Sequence, residues 1–394
     1  MSSRDGARHR VGLLGCGAFG TFLADAIAEL PTAELAAVAD TRTDLAIRLA
    51  AAHPSAAVET DLDGLLADHD IDIVVVATPP WTHATLAAQA LRASRHVLVE
   101  KPLAIDVDGC RDVAEAAAET GRVVTVDHLL RFAPLVTALS QLLAVEVAGQ
   151  RVLGPIRRFA FENDAADEDL PSDHWFWDPR RSGGIFIEHG VHFFDLAADL
   201  LGSPVEAIQA MAGIRANGRT DTVCATARYD SGATASWYHS FTHPRRGERQ
   251  TLRLDLGNGE CRLEGWIPLE MQLDAWTGRV AAEALHTAAT DTSELGVPER
   301  QVSVTAAPDT EHATGATRGA THHVRIRLGH GRRAKQTVYA ICIRRLLADL
   351  FVAVDEARPP RVDLDAATAA VAVAAAATEA TRTGRTLQLT RSEH

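Results

Sequence analysis

The chain has 394 residues, 46% hydrophobic and 23% charged, the make-up of a globular protein long enough for two domains with separate cores. A formal charge of −13 and an isoelectric point near 5.7 argue against a surface made for nucleic-acid phosphates or an anionic membrane. The five cysteines (Cys16, Cys110, Cys224, Cys261, Cys342) are odd in number, scattered and without a CxxC pair, so they read as reduced thiols in a cytoplasmic protein and exclude a disulfide framework or zinc site.

In chain order, the opening MSSRDGARHRVGLLG places basic residues before an apolar run of about five, short of the ~7–15 of a signal-peptide core. No apolar stretch approaches the ~20 residues needed to span a bilayer, so neither export nor membrane insertion is expected. From residue 10 to about 127 a unit repeats: a short apolar run, a turn, then an alanine-rich helical stretch. The runs are VGLL (11–14), LAAVA (35–39), IVVVA (73–77), HVLVE (96–100) and VVTV (123–126). Runs that are apolar throughout suit strands buried on both faces, and their alternation with helices predicts a doubly wound parallel sheet, a Rossmann domain over residues 1–128.

Beyond residue 128 the pattern changes. RRFAFEN, EAIQAMAGI, TVCATARY, ATASWYHSF, TLRLDLG and CRLEG, between residues 157 and 265, are strand-like segments joined by turn residues, with one helix near 184–201. They predict an α+β domain over residues 129–394 with a large, mainly antiparallel open sheet. Residues 283–323, rich in Thr, Ala and Gly with little periodicity, are expected to form a flexible surface loop. Helices near 335–357 and 364–383 follow, divided by Arg358-Pro359-Pro360.

GCGAFG at 15–20 fits GxGxxG, follows the first strand directly and opens the helix AFGTFLADAIAEL. Asp40 stands at the end of the second strand, 20 residues beyond Gly20, the spacing of a dinucleotide-binding fingerprint. Gly15 permits the tight turn, Gly17 lets the backbone approach a pyrophosphate, and Gly20 allows close packing of helix on sheet. The helix N-terminus offers unpaired N–H groups to that anion. Asp40 suits the ribose hydroxyls and repels a 2′-phosphate, favouring NAD; Arg42, two residues on, keeps NADP in play.

Lys101 is one of two lysines, the other being Lys335, against 37 arginines. It lies in EKP after the fourth apolar run, on the side of the sheet where ligands bind. An ammonium can be tuned toward neutrality, whereas a guanidinium cannot give up its proton in a protein.

GCGAFG, the acid ending strand two, ATPPWTHA (77–84), EKPLA (100–104), RFAP (131–134) and WFWDPRRSGGIFIEHGVHFFDLAADLLG (175–202) together resemble the Gfo/Idh/MocA oxidoreductases, the glucose-fructose oxidoreductase and inositol dehydrogenase family. The resemblance covers residues 10–202. It implies cofactor contacts at Gly15, Gly17, Ala18, Phe19, Gly20, Asp40, Thr41, Arg42, Thr78, Pro79, His83, Glu100 and Lys101. In the second part of the chain the family pattern resembles D-x-G-x-H-x-x-D; here Glu188 stands at the first position and His192 matches the catalytic histidine. Four residues apart on a helix, the two share a face.

Oxidising a secondary alcohol requires a base near pKa 7 on its oxygen while hydride leaves carbon. His192 is assigned as general base and acid, Lys101 as the group that polarises the same oxygen and shares in proton transfer, and Glu188 as their modulator. Trp175 and Trp177 read either as core or as a flat wall for a sugar or cyclitol ring; His128, Arg131 and Arg181 are candidate substrate contacts. The acidic stretch FENDAADEDLPSD (161–173) is either a solvated loop or an attractor for a cationic, amine-bearing substrate. The expectation is thus an NAD(P)-dependent dehydrogenase or reductase acting on a sugar, cyclitol or related polyol, possible amino- or nucleotide-linked forms included, without a metal. The resemblance further implies a homodimer or homotetramer. Redox-assisted glycoside cleavage and a non-catalytic dinucleotide sensor stand as alternatives.

Overall fold

A computed structural model describes residues 8–67, 70–167, 170–171, 173–215, 218–291, 295–307, 319–333 and 335–389. The chain forms two compact units, the first from Met1–Leu129, Asp173–Asp195 and Ile343–Ala375, the second from Leu130–Ser172, Leu196–Cys342 and Ala376–His394. A linear boundary at 128/129 assigns the segments 173–195 and 343–375 to the second domain, whereas in the fold they belong to the first. One physical reason is packing: Thr125 Oγ1 donates to the Val362 carbonyl (2.8 Å), and His9 stacks on Phe351 with ring centroids 5.0 Å apart.

The first unit holds six parallel strands, β1 His9–Leu14, β2 Ala33–Ala39, β3 Ala57–Glu59, β4 Ile73–Val76, β5 His96–Val99 and β6 Val124–Val126, in the order β3-β2-β1-β4-β5-β6. The apolar runs became central strands because they are covered on both faces: Val11, Leu13, Val74, Val75, Val97 and Leu98 are fully buried. The order reverses between β1 and β4, the switch point at which α/β sheets bind ligands beyond their carboxyl ends. The loops leaving β1, β4, β5 and β6 therefore carry residues 15–20, 77–83, 100–102 and 127–128 to one end of the sheet.

The second unit has a small hairpin, β7 Glu146–Val147 and β8 Gln150–Arg151. Its ten-stranded sheet comprises β9 Ile156–Asp164, β10 Val205–Ile214, β11 Thr220–Tyr229, β12 Thr234–Ser240, β13 Arg249–Leu256, β14 Gly259–Glu264, β15 Glu270–Thr277, β16 Glu299–Ala306, β17 His322–Gly329 and β18 Leu387–Gln388. The order is β16-β17-β15-β14-β13-β9-β12-β11-β10-β18. Every pairing is antiparallel except β9 with β12.

Two expectations need correction. Residues 283–323 are not a continuous loop: a helix runs Arg279–Thr290 with Ala282, Leu285 and Ala289 buried on one face, and β16 pairs along its length with β17. Residues 292–294 and 308–318 lie outside the described residues, as do Glu168 and Asp169 of the acidic stretch. The helix expected near 184–201 opens with a π-helical turn, Phe186–Gly190, before the α-helix Val191–Leu201. Among the described residues, no helix is long and apolar enough to cross a membrane.

Candidate active site

The glycine turn after β1 is dictated by close backbone approach. Gly15 has φ +94°, and a Cβ on it would lie 2.4 Å from the Ala77 carbonyl oxygen; a Cβ on Gly20 would lie 1.9 Å from that of Gly15. Gly17 differs, since a Cβ there would meet nothing within 4 Å. No neighbouring protein atom demands a glycine at 17. The space lies at the N-terminus of the helix Ala18–Ala28, which has no side-chain cap, so its first N–H groups are available to an anion. Gly17 and Ala18 are exposed and Phe19 half-buried, which fits a pyrophosphate passing over this turn. Asp40 is fixed by two backbone donors: Cys16 N–H to Oδ2 and Arg42 N–H to Oδ1, both at 2.8 Å. Thr41 is exposed, and the Arg42 guanidinium pairs with Asp44 at 3.3 Å.

His83 is corrected from cofactor contact to internal brace. It is buried, with Nε2 2.7 Å from the Thr78 carbonyl and Nδ1 2.7 Å from the Pro102 carbonyl. It thereby ties the loop after β4, carrying Thr78 and Pro79, to the loop after β5. Burial pushes its pKa below the ordinary histidine value, the two carbonyls partly opposing this; the neutral ring donates to one of them. Thr78 is further held by a 2.7 Å hydroxyl contact with Thr82.

Lys101 is the centre of a buried charge cluster. Its Nζ donates to Glu188 Oε1 at 2.7 Å and to the Glu188 carbonyl at 2.9 Å, and the two side chains are 16% and 11% exposed. The π-helical turn presents both acceptors from one residue, an irregularity that recurs at functional sites. Burial favours the neutral amine, but Glu188, Glu100 and Asp127 outweigh it and raise the Lys101 pKa. Glu100 is pushed well above the carboxylate range by burial, against the pull of Lys101. Asp127 rises for the same reason to about 7. Asp127 was not among the sequence candidates; its only signal is an acid directly after the fifth apolar run. His192 is buried, and its ring lies edge-on to buried His128 at 5.9 Å.

Trp175 and Trp177 flank a short 3₁₀ turn and are half-buried, so neither is a fully buried core residue. Trp175 meets Trp81 edge-on at 5.9 Å, and Arg181 lies over the Trp81 ring at 4.1 Å, a cation–π contact. Trp81 is a second residue the sequence reading passed over, although it sits inside ATPPWTHA. In the second unit, Arg131 pairs with Asp199 at 3.2 Å. Also there, Asp164 is held by Arg249 (2.7 Å) and His243 (3.2 Å), and Asp167 faces Arg215 at 3.7 Å. Those two acids of the 161–173 stretch are therefore largely neutralised internally.

A Rossmann sheet with a glycine turn, a ribose-competent acid and an EKP lysine defines a dinucleotide-dependent oxidoreductase architecture. Residues 9–128 match the family model described as "Oxidoreductase family, NAD-binding Rossmann fold", and residues 142–259 match the "GFO/IDH/MocA C-terminal domain". The chain belongs to the Gfo/Idh/MocA family, with an NAD-binding first unit. Among its relatives, the uncharacterized oxidoreductase YdgJ of Escherichia coli K12 is 33% identical over 52% of this chain and 57% of its own length. Inositol 2-dehydrogenase of Rhizobium meliloti 1021 is 32% identical over 52% of this chain and 58% of its own. The chain thus matches less than two thirds of the length of these curated relatives. The crystal structure of GenD2 from gentamicin A biosynthesis in complex with NAD superposes with a TM-score of 0.73 at 25% identity, covering 98% of this chain and 97% of that one.

Proposed function

We propose that the chain is an NAD-dependent oxidoreductase moving a hydride between nicotinamide and a hydroxyl or keto carbon of a sugar, cyclitol or related polyol. The observation that carries this reading is the Lys101 ammonium, held by both acceptors of Glu188 (2.7 and 2.9 Å) at the carboxyl end of β5, in the same compact unit as His192. NAD, when bound, supplies the hydride acceptor. Gly15, Gly17, Gly20 and the helix start would hold its pyrophosphate, and Asp40 its ribose. Lys101 polarises the substrate oxygen, His192 takes or returns the hydroxyl proton, and Glu188 keeps the amine charged and aimed. Half-buried Trp175 and Trp81, with exposed Arg181 over the Trp81 ring, supply an apolar face with one cation, which suits a ring bearing hydroxyls.

The polyol class is supported by the likeness to inositol 2-dehydrogenase. Attraction of an amine-bearing substrate by the acidic stretch has less support, because Asp164 and Asp167 already face cations. The same reading places the enzyme in the cytoplasm as a homodimer or homotetramer. Met211 and Ile214 on β10, 68% and 69% exposed, offer apolar surface to a second copy, and a solution mass determination tests this. The functional test is a screen of NAD and NADP against sugars, cyclitols and their amino and nucleotide-linked forms, following reduced-nicotinamide absorbance. Turnover of a polyol that Lys101→Arg abolishes supports the proposal; wild-type turnover in that variant refutes the role of Lys101.

A further inference from the structure

The carboxylate of Asp127 has no part in the reading above, yet its surroundings are unusual. The residue is fully buried, and neither carboxyl oxygen has a hydrogen-bond partner among the described residues. Its backbone N–H donates to the Val99 carbonyl at 2.9 Å, which fixes it beside Glu100 and Lys101, and its charge acts on both. Three carboxyls, Glu100, Asp127 and Glu188, thus surround one ammonium. Glu188 bonds the amine directly. A second and third buried carboxylate would leave excess negative charge away from water, so one of them keeps a proton. His128 adjoins Asp127 in sequence, His192 packs on His128, and buried His83 feels the Lys101 charge; these are further titratable groups beside the cluster.

Lysine has three N–H donors. Two go to Glu188, and the third has no partner among the described residues. We propose that Asp127 is a positioning residue that decides where this third N–H points: as a neutral acid it leaves the donor for the substrate oxygen, and as a carboxylate it competes for it. The proposal rests on the polyol oxidoreductase reading and adds a controlling group to it. Burial raises the Asp127 pKa to about 7, so the exchange falls near neutrality. The step is a proton exchange only: Asp127 loses H⁺ to water, and Lys101 redirects one hydrogen bond.

Two measurements test it. Infrared spectra of wild-type protein carrying ¹³C-carboxyl aspartate should show a protonated-acid C=O band that shifts with the label and fades as pH rises through neutrality. Asp127→Asn should lack that band. In kinetics, KM for the polyol should rise about tenfold across that pH range in the wild type, the loss of one charge-assisted hydrogen bond. Asp127→Asn should hold the low KM throughout, with kcat changed less than KM. An aspartate already ionised at pH 5 overturns the proposal even if Asp127→Asn does not fold, and so does a wild-type KM profile in a folded Asp127→Asn. If no polyol is turned over, the functional reading fails, and the labelled band alone decides whether Asp127 stores a proton.

Discussion

Replacing Lys101 with methionine keeps the side-chain stem and deletes the charge, which isolates what the ammonium contributes. The pair it breaks is 2.7 Å long with both side chains mostly buried, and removing one partner of a buried ion pair costs about 3–5 kcal/mol. The cost should depend on pH. Wild-type Lys101 has a raised pKa, so its stabilisation is constant below the unfolded value near 10.5 and is lost only as pH rises through the folded value. In Lys101→Met, the carboxyls of Glu100 and Asp127, raised by burial and now without the pull of Lys101, bind protons more tightly when folded than when unfolded. Folded-state proton excess makes stability fall with rising pH, at most about 1.4 kcal/mol per pH unit for each group. Protonation thus conceals much of the defect near pH 5, and the penalty grows toward pH 8. Guanidinium unfolding at pH 5, 6.5 and 8 reads this out, and adding Glu188→Gln should recover part of the loss at pH 8. A penalty below about 0.5 kcal/mol at pH 8, the scatter of a neutral surface change, or one equal at all three pH values, refutes the charge-cluster reasoning.

Asp40→Ala removes the acceptor that Cys16 and Arg42 N–H groups hold in place; NADH affinity should fall about tenfold, one charge-assisted bond, and discrimination against NADPH should narrow in fluorescence titrations. Gly20→Ala sets a methyl 1.9 Å from the Gly15 carbonyl oxygen and 2.9 Å from its carbon, a backbone group with no flexible side chain to give way. It should destabilise by about 1–3 kcal/mol or more, with NADH binding weakened in parallel, as seen by thermal unfolding with and without cofactor.

How much of this was legible in the sequence follows from what each signal depends on. Val74, Val75, Val97 and Leu98 are buried on both faces of a parallel sheet, and that burial writes itself into the chain as uninterrupted apolar runs. β3 is three residues at the sheet edge with Val58 39% exposed, so it leaves no such run. The helix Arg279–Thr290 was hidden because its buried face is Ala282, Leu285 and Ala289, two alanines and one leucine within a Thr- and Ala-rich stretch. Lys101 stood out by rarity and Glu188 by motif, but their bond spans 87 positions, a distance no local pattern reports. Asp127 was invisible for a different cause: an acid following a strand is usually a solvated loop residue, and only its neighbours reveal the burial.

The glutamate at 188, where the family pattern has aspartate, is itself informative. A longer side chain on a π-helical turn reaches back so that one residue gives Lys101 its carboxylate and its carbonyl together. Glu188→Asp withdraws the carboxylate by one methylene and leaves the carbonyl in place, so the amine keeps one acceptor and loses the charged one. The Lys101 pKa, raised chiefly by Glu188 against burial, should then fall. With a less basic amine, the pH at which alcohol oxidation loses the ammonium should move down by about one unit, the worth of one charge-assisted hydrogen bond, while NADH affinity stays at the wild-type value. A pH profile measured from 6 to 10 at saturating polyol distinguishes the outcomes. If Glu188→Asp follows the wild-type curve throughout, the backbone carbonyl alone suffices to hold the amine, and the carboxylate's length carries no functional meaning.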